Sequence, residues 1–345
     1  MATPYVFTSV TRIADLQETG FDVAELPRDQ WADGDYIVAT VTGKPSSLYR
    51  FELTNGRMVE AMQDMPAVGA FGKRAATLEA TGDWTAIGDD GSMEALTSAG
   101  LFGKALSVAP TLARLMSLRY SGHVIRDGRK LTMDDFVPPT PEAHFSMPVV
   151  LLIGTSMSAG KTTTGRIIVH ELKRAGCNVA GAKFTGAGRY RDVLAFSDAG
   201  ADTIIDFVDA GLPSTAVPPK RFARAMEHML ATIAARGADI LVAEAGASPL
   251  EPYNGDTAVR MLGANVCCTV LCASDPYAVV GVREAFKIEP DIVTGPTANT
   301  QAGIDLVRKL TGLEALNLLD LDSIPRLLEI LRRRLPFTSV FHGDE

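Results

Sequence analysis

Residues 149–163 read VVLLIGTSMSAGKTT, in which a buried-strand pattern is followed by small residues and then by Gly160, Lys161 and Thr162. Small side chains let main-chain N–H groups curl around an anion, and a helix that begins near Lys161 directs its free N–H groups and its dipole toward that anion. Lys161 adds a positive charge, and the hydroxyl of Thr162 is suited to ligate Mg²⁺. The stretch therefore predicts a phosphate-binding loop formed by Gly154, Thr155, Ser156, Ser158, Ala159, Gly160, Lys161, Thr162 and Thr163.

The spacing of this loop departs by one residue from G-x-x-x-x-G-K-[ST], the common phosphate-loop pattern. With Gly160 as the second glycine of the pattern, the first glycine would fall at position 155, which is Thr155 in this chain. Gly154 comes one residue early. The physical requirements of an apolar strand, a small-residue turn and a helix start are still met. The alternative is a merely structural strand–turn–helix connection.

Charged residues at the ends of two later apolar runs are the next candidates. Lys183 ends NVAGAKF, where it would stabilise a transferring phosphoryl group, so Lys161 and Lys183 are the predicted catalytic residues. Glu244 ends DILVAE, and a carboxylate there requires a cation or hydrogen-bond donors. We expect Thr162, Glu244 and Asp192 to hold Mg²⁺. Asp198 is the alternative to Asp192, although Asp198 and Asp202 are also typical of helix N-caps.

Other polar residues lie in loops that follow the predicted strands. Arg189 and Arg191 follow Lys183 and could each grip an acidic substrate through two parallel hydrogen bonds. Ser248 lies in the polar loop after Glu244 and is a further candidate for substrate binding. Asn299 follows the run DIVTG, where it could contact a nucleobase. No Asn-Lys-x-Asp string is present there, which favours adenine and hence ATP.

Apolar strands and amphipathic helices alternate from residue 148 onward, which predicts an α/β fold with a mostly parallel, doubly wound sheet. Ligands of such sheets bind beyond the carboxyl ends of the strands. The predicted strands are 149–153, 178–184, 239–244, 265–273, 291–295 and 315–321. The predicted helices are 162–175, 220–236, 276–286, 301–311 and 323–334.

The first 140 residues have a different pattern and predict a smaller β-rich domain. Short alternating runs are separated by the hairpin signals Asn55-Gly56 and Asp127-Gly128, and a helix is expected near TLARLMSL (111–118). Two similar segments, GAFGKRA (69–75) and GLFGKAL (100–106), favour a duplicated hairpin or a small pseudo-symmetric barrel; a ligand role for Lys73 or Lys104 is the alternative. The predicted organisation is a cap or substrate domain (1–140), a proline-rich linker (141–147) and a phosphate-loop nucleotide-binding domain (148–345).

The segment GTSMSAGKT resembles the loop of dethiobiotin synthetase and related P-loop proteins, which carry G-T-x-T-x-x-G-K-T. The strands ending at Lys183 and Glu244 are also similar to those relatives. The resemblance implies that the second lysine binds reacting substrate or phosphate, that carboxylates hold Mg²⁺, and that the protein is a homodimer. GTSMSAGK, TGAG, ADTIIDFVDAG, EAGASPLEP and ANT also resemble a P-loop family that includes proteins described as D-glutamate N-acetyltransferases, over about residues 148–300.

Composition narrows the class of function. The 33 basic and 41 acidic residues of the 345-residue chain give a formal charge of −8, which argues against a large nucleic-acid footprint. No run reaches about 18 consecutive apolar residues, and the N-terminus lacks a secretory pattern, so we expect a cytoplasmic protein that spans no membrane. Cys177, Cys267, Cys268 and Cys272 lack the spacing of a zinc site and are expected to be reduced.

Three functions fit these features. The first is Mg-ATP-dependent phosphorylation or activation of a small acidic metabolite, by a kinase or ligase, because phosphoryl transfer depends on positioning and electrostatics more than on a protein nucleophile. The second, implied by the family resemblance, is acyl-CoA-dependent N-acylation of an amino acid such as D-glutamate. The third is a nucleotide-driven switch or metallochaperone.

Overall fold

The two sequence patterns form two separate sheet systems in the computed structural model, which describes residues 5–43, 49–246, 248 and 250–336. One compact unit contains the described residues as far as Pro139 together with Gly186–Arg191 and Phe207–Ala225. The other contains Thr140–Thr185, Asp192–Asp206 and the described residues from Met226 onward. We call them the N-terminal unit and the P-loop unit. Two short segments of the predicted 148–345 domain thus belong to the N-terminal unit.

The N-terminal unit is built from short strands, as its alternating sequence predicts. The strands are β1 Val6–Phe7, β2 Asp22–Ala24, β3 Tyr36–Val41, β4 Arg50–Glu52, β5 Met58–Glu60, β6 Pro66–Phe71, β7 Lys73–Ala76, β8 Ala80–Asp83, β9 Ser92–Ala95, β10 Leu101–Val108, β11 Met116–Arg126 and β12 Arg129–Lys130. Short 3₁₀ helices lie at Ser9–Thr11, Arg28–Gln30, Trp84–Ala86 and Met133–Phe136. Both predicted hairpins are confirmed, since β4 pairs with β5 and β11 with β12 in antiparallel fashion.

Strand β6 pairs with β3, β3 with β11, β11 with β9, β9 with β10, and β10 again with β6, so these five strands close into a ring. The β6–β10 pairing is parallel and aligns Ala70 with Leu101 and Phe71 with Phe102. The two GxFGK segments are therefore in register with each other, which supports the predicted pseudo-symmetric barrel. Lys73 and Lys104 contact carboxylates, with Nζ 2.7 Å from Asp83 Oδ2 and 3.3 Å from Glu94 Oε1, respectively.

The predicted helix near TLARLMSL is wrong. Residues 111–115 form turns and extended chain, and β11 begins at Met116. Met116 and Leu118 pair with Ala95 and Met93 of β9 and are buried in the apolar core of the unit. Pairing on both sides of β11 outweighs the local helix propensity of these residues.

The P-loop unit contains one six-stranded sheet in which every pairing is parallel. In spatial order it consists of β15 Thr203–Asp206, β14 Val179–Thr185, β16 Ile240–Ala245, β13 Val149–Gly154, β17 Val266–Cys272 and β18 Ile292–Thr294. The central strands β13, β14 and β16 are buried along their whole length, which matches their continuous apolar sequence.

The helices between and after these strands follow the predicted positions closely. In chain order they are α1 Lys161–Arg174, α2 Tyr190–Asp198, α3 Pro219–Ala235, α4 Gly255–Leu262, α5 Pro276–Phe286, α6 Gln301–Thr311 and α7 Ile324–Arg334. Short 3₁₀ helices lie at Gly263–Asn265, Pro296–Ala298 and Leu321–Ser323. The prediction missed α2, α4 and the edge strand β15. Within the described residues, no helix combines the length and apolarity needed to cross a bilayer.

The predicted strand 315–321 is also wrong. Ala315 makes an isolated parallel bridge to Val293, and the chain then turns. The side-chain oxygen of Asn317 accepts a hydrogen bond from the Leu319 N–H at 3.2 Å, and Asp320 accepts one from the Asp322 N–H at 3.1 Å. These local Asx turns compete with a strand, although the run of leucines is apolar.

Gly295, which directly follows β18, lets the chain pass close to the predicted phosphate loop. Its φ is +89°, and a Cβ at this position would lie 2.4 Å from the carbonyl oxygen of Ala159. Only glycine fits this combination of backbone conformation and backbone-to-backbone contact.

We expect Gly295→Ala to lower the free energy of unfolding by about 1–3 kcal/mol, because the alanine is strained and also displaces the phosphate loop. Urea denaturation followed by circular dichroism measures the change. Gly281→Ala is the matched control: Gly281 lies inside α5, and a Cβ added there would meet no atom within 4 Å. That control should gain about 0.5–1 kcal/mol. Equal stability of Gly295→Ala and wild type would contradict the argument.

Candidate functional site

The predicted phosphate loop connects the central strand β13 to helix α1. Strand β13 ends at Gly154, and α1 begins at Lys161 after Gly160, whose φ of +94° ends the loop. The 14 residues of α1 leave the first-turn N–H groups without intrahelical acceptors, so they remain available to an anion. Thr155 fixes the start of the loop, because its N–H donates to the Cys272 carbonyl (3.1 Å) and its hydroxyl accepts from the Ser274 N–H (3.0 Å).

Lys161 is buried and folds back over the loop. Its Nζ donates a hydrogen bond to the carbonyl oxygen of Ser156 at 2.7 Å, and the residue is only 2% exposed. Burial lowers the pKa of Lys161, and the carboxylate of Glu244 only partly opposes this effect. An ammonium group in such surroundings gains most from an added negative charge.

Thr162 and Glu244, both predicted to hold Mg²⁺, are in contact; their role as ligands stays a prediction. The Thr162 hydroxyl donates to Glu244 Oε2 at 3.1 Å, and Glu244 lies at the buried end of β16 beside β13. Gly246 makes room for this arrangement, since a Cβ there would lie 2.9 Å from Glu244 Oε1 and 3.0 Å from Lys161 Cε. The phosphate loop, the Thr162 hydroxyl and the Glu244 carboxylate thus lie at the same edge of the sheet.

Lys183 lies at the same edge, in register with Glu244 on one neighbouring strand and with Asp206 on the other. Its Nζ is 2.5 Å from Asp192 Oδ2, and this ion pair is largely buried. Burial by itself would lower the pKa of Lys183, but Asp192, Glu244 and Asp206 outweigh it and raise the pKa above its ordinary value. Asp192, predicted to ligate Mg²⁺, contacts this lysine in the structure; its role as a ligand stays a prediction.

A small cavity of about 150 Å³ lies beside α1, next to the loop. It is lined by Gly160, Thr163, Thr164, Ile167, Thr294, Gly295, Pro296, Asn299, Asn317, Leu318 and Leu319. Asn299, which the sequence suggested as a contact to a base, is therefore at the cavity. Asn317, Leu318 and Leu319 were missed because the prediction assigned them to a strand.

The remaining predicted residues lie elsewhere. Arg189 and Arg191 belong to the N-terminal unit, where the Arg191 N–H donates to Glu52 Oε1 at 3.0 Å. The Ser248 N–H donates to Glu251 Oε2 at 2.8 Å; its neighbours Ala247 and Pro249, within the EAGASPLEP segment, lie outside the described residues. A substrate role for these three residues stays a prediction.

Asp198 and Asp202 are not helix N-caps. Asp198 is the last residue of α2 and is exposed, and Asp202 accepts the Val179 N–H and pairs with Lys173. The carboxylate that sequence reasoning missed is Asp206, at the end of β15 and 1% exposed. The signal for it was the short apolar run TIID, which resembles the other strand ends.

Comparison with known proteins agrees with this geometry. Residues 137–301 match a family model described as a domain of unknown function, DUF1611_C P-loop domain. This part of the chain is a P-loop domain. No curated protein matches it.

Three solved structures illustrate what this P-loop protein is similar to. A DUF1611 family protein from Anabaena variabilis is 19% identical, with a TM-score of 0.39 over 56% of this chain and 62% of that one. The chloroplast FtsY of Physcomitrella patens is 15% identical (TM-score 0.36; 53% and 63%), and FtsY of Thermotoga maritima is 22% identical (0.35; 52% and 62%). The matches span less than two thirds of each solved chain. The narrower resemblances to dethiobiotin synthetases and D-glutamate N-acetyltransferases stay predictions.

The buried Lys183–Asp192 pair generates a stability prediction for the P-loop protein. We expect Asp192→Asn to lower the free energy of unfolding by about 3 kcal/mol at pH 7, because it leaves the ammonium of Lys183 buried with less compensation. The pKa of Lys183 in the folded protein is raised above its ordinary value of 10.5. Its contribution to the free energy of unfolding is therefore fully present below pH 10.5 and is lost as the pH rises through the folded-state pKa.

Urea denaturation between pH 7 and 9 checks this prediction and should give a constant difference from wild type. Asp256→Asn is the control, because Asp256 forms an exposed i,i+4 pair with Arg260. It should change stability by less than about 0.5 kcal/mol. A similarly small change in stability for Asp192→Asn would contradict the claim that the Asp192 carboxylate compensates the buried charge of Lys183.

Proposed function

We propose that this protein binds a nucleoside triphosphate, ATP in preference to GTP, together with Mg²⁺, and transfers the γ-phosphoryl group to a small acidic metabolite. The observation that carries the proposal is the joint position of Lys161, Thr162 and Glu244 at the mouth of the loop. This arrangement combines an anion nest with a hydroxyl–carboxylate pair, which a triphosphate–metal complex requires.

The hydroxyl–carboxylate pair fits Mg²⁺. Two adjacent ligands of an octahedral ion with Mg–O distances of about 2.0–2.1 Å are separated by about 2.8–3.0 Å. Thr162 Oγ1 and Glu244 Oε2 are 3.1 Å apart. When bound, Mg²⁺ would neutralise charge on the β- and γ-phosphate oxygens. Glu244 and Thr162 would hold the ion, and Asp192 is the further candidate ligand.

The protein's own groups account for positioning and charge stabilisation. Loop N–H groups and the Lys161 ammonium would hold the terminal phosphates. Lys161 has two further N–H donors besides the one that contacts Ser156 O. Lys183, whose charge is secured by Asp192, is suited to face the transferring group or the incoming carboxylate. Attack by a carboxylate oxygen on the γ-phosphorus would release ADP and give an acyl phosphate.

The cavity lined by Asn299 and Asn317 supports a base-binding role. Pro296 and Leu319 offer apolar surface to a ring, and the two side-chain amides offer donors and acceptors to its edge. The absence of an Asn-Lys-x-Asp string supports adenine over guanine.

The buried carboxylate also bears on the second candidate, acyl-CoA-dependent N-acylation. Glu244 lies directly beside the loop, and a carboxylate next to a coenzyme A pyrophosphate is repulsive unless a cation intervenes. A nucleotide-driven switch shares the same loop and differs only in lacking an acceptor. A homodimeric state remains an expectation from the family resemblance, and a cytoplasmic location remains an expectation from the sequence.

We expect Mg-ATP at 100 times its dissociation constant to stabilise the protein by about 2.7 kcal/mol. Thermal unfolding with Mg-ATP, Mg-GTP and acetyl-CoA at equal concentration measures this effect. Lys161→Ala should abolish the Mg-ATP shift while leaving the unliganded protein folded. Stabilisation by acetyl-CoA alone would favour the acyltransferase.

The acceptor is tested by ADP release and hydroxylamine trapping in the presence of a panel of amino acids and dicarboxylates. An acyl phosphate reacts with hydroxylamine to give a hydroxamate and free phosphate, so an acceptor that raises both ADP and hydroxamate supports the proposal. ADP release that no acceptor stimulates would instead support the switch.

The metal assignment makes a separate prediction. Wild-type protein should bind ATP more tightly with Mg²⁺ than with EDTA. Glu244→Gln should reduce the ratio of these two affinities at least tenfold, because it replaces the negatively charged ligand beside Thr162 with a neutral amide. Isothermal titration calorimetry measures the ratio. Glu284→Gln is the control, because Glu284 is an exposed carboxylate of α5 paired with Lys287, and it should leave the ratio unchanged. An unchanged ratio in Glu244→Gln would remove Glu244 from the metal site.

A further inference from the structure

The N-terminal unit has a cavity of its own, about 190 Å³ in volume. It lies among the start of β4, strand β7, the turn after β9 and the segment that leads into β11. No aspartate or glutamate is among the described residues that line it. Its polar lining consists of Tyr49, Arg50, Arg74, Thr97, Ser98 and Arg114.

Arg74 is a rigid component of this lining. It is 9% exposed, and its Nη1 donates to the carbonyl oxygen of Leu96 at 2.7 Å while Nη2 contacts Glu79. These two contacts fix the plane of the guanidinium group. The Nε–H of the same group is buried and has no hydrogen-bond acceptor among the described residues.

Thr97 presents a second unsatisfied group in the same lining. Its hydroxyl is buried and has no hydrogen-bond partner within the described part of the chain. Buried polar groups are nearly always hydrogen-bonded in folded proteins, because leaving them unpaired carries a desolvation penalty. Both groups belong to residues that line the cavity, and they leave two donors that the described residues do not satisfy.

The two other arginines leave positive charge at the cavity. Arg50 is 3.5 Å from Glu60, and both side chains are about half exposed or more, so water screens this pair. Arg114 is exposed and forms no ion pair with any described residue. The net charge of the lining therefore favours an anion.

We propose that this cavity binds a small carboxylate, with guanidinium groups and the Thr97 and Ser98 hydroxyls around its oxygens. The plane of the Arg74 guanidinium is fixed by its two contacts, and arginines that line a cavity can hold the two oxygens of a carboxylate through parallel N–H···O bonds. The volume is below the 300–1,000 Å³ typical of drug-sized ligands, which restricts the occupant to a short mono- or dicarboxylate. This site is formed by N-terminal residues alone and does not depend on the function proposed for the P-loop.

Isothermal titration of the full chain with succinate, glutarate and inorganic phosphate tests the proposal. We expect a dicarboxylate to bind more tightly than phosphate, and Arg114→Gln to weaken that binding at least tenfold. Thr97→Val, which keeps the side-chain shape, should weaken it about threefold or more. Arg119→Gln is the matched control, because Arg119 is an exposed arginine on nearby β11 that does not line the cavity.

Both test substitutions avoid Arg74, whose contacts with Leu96 and Glu79 support the local fold. Arg114→Lys should restore part of the affinity, because it returns the charge without the planar fork. Lys161→Ala should leave dicarboxylate binding unchanged, which separates this site from the P-loop. The proposal is overturned if no dicarboxylate binds, if phosphate binds more tightly, if Arg114→Gln acts no more strongly than Arg119→Gln, or if Lys161→Ala abolishes the binding.

Discussion

The balance of buried charge at the carboxyl edge of the parallel sheet is the constraint on which the P-loop unit depends. Two lysines and three carboxylates end neighbouring strands or lie close to them, in surroundings that water reaches poorly. Lys183 is well compensated, so its pKa is raised, whereas Lys161 is not, so its pKa is lowered. The difference indicates that a bound phosphate would compensate the charge of Lys161, whereas carboxylates of the protein already compensate the charge of Lys183.

Close packing of main chain around this edge requires glycine at specific positions. Gly295 brings the loop after β18 against the carbonyl of Ala159, and Gly246 leaves space for both Lys161 and Glu244. Gly160 supplies the left-handed conformation from which α1 starts. The nest is thus shaped by three chain segments that are far apart in sequence and that approach closely because glycine carries no side chain.

The N-terminal unit depends on a different constraint, because its short strands must pair into a closed ring. The parallel pairing of β6 and β10 closes it, and the repeated GxFGK segments lie in register at this closure. Ile37, Phe51, Phe71, Met93 and Phe102 fill its apolar core. The arginine-lined cavity borders this core through Ala95 and Met116, and a ligand there would add to the stability of a barrel whose strands already pair into a ring without it.

The sequence by itself determined the elements that have strong local signals. Continuous apolar runs predicted five of the six strands of the parallel sheet, and the loop between Gly154 and Thr162 follows from its small residues and the helix after it. Only tertiary structure decided what depends on contacts between separate segments. These features are the pairing of Asp192 with Lys183, the position of β15 with Asp206, and the unsatisfied Arg74 Nε and Thr97 hydroxyl. Hydrophobic periodicity specifies which residues are buried along a strand, but the partner of a buried charge is chosen by chain segments that local sequence does not bring together.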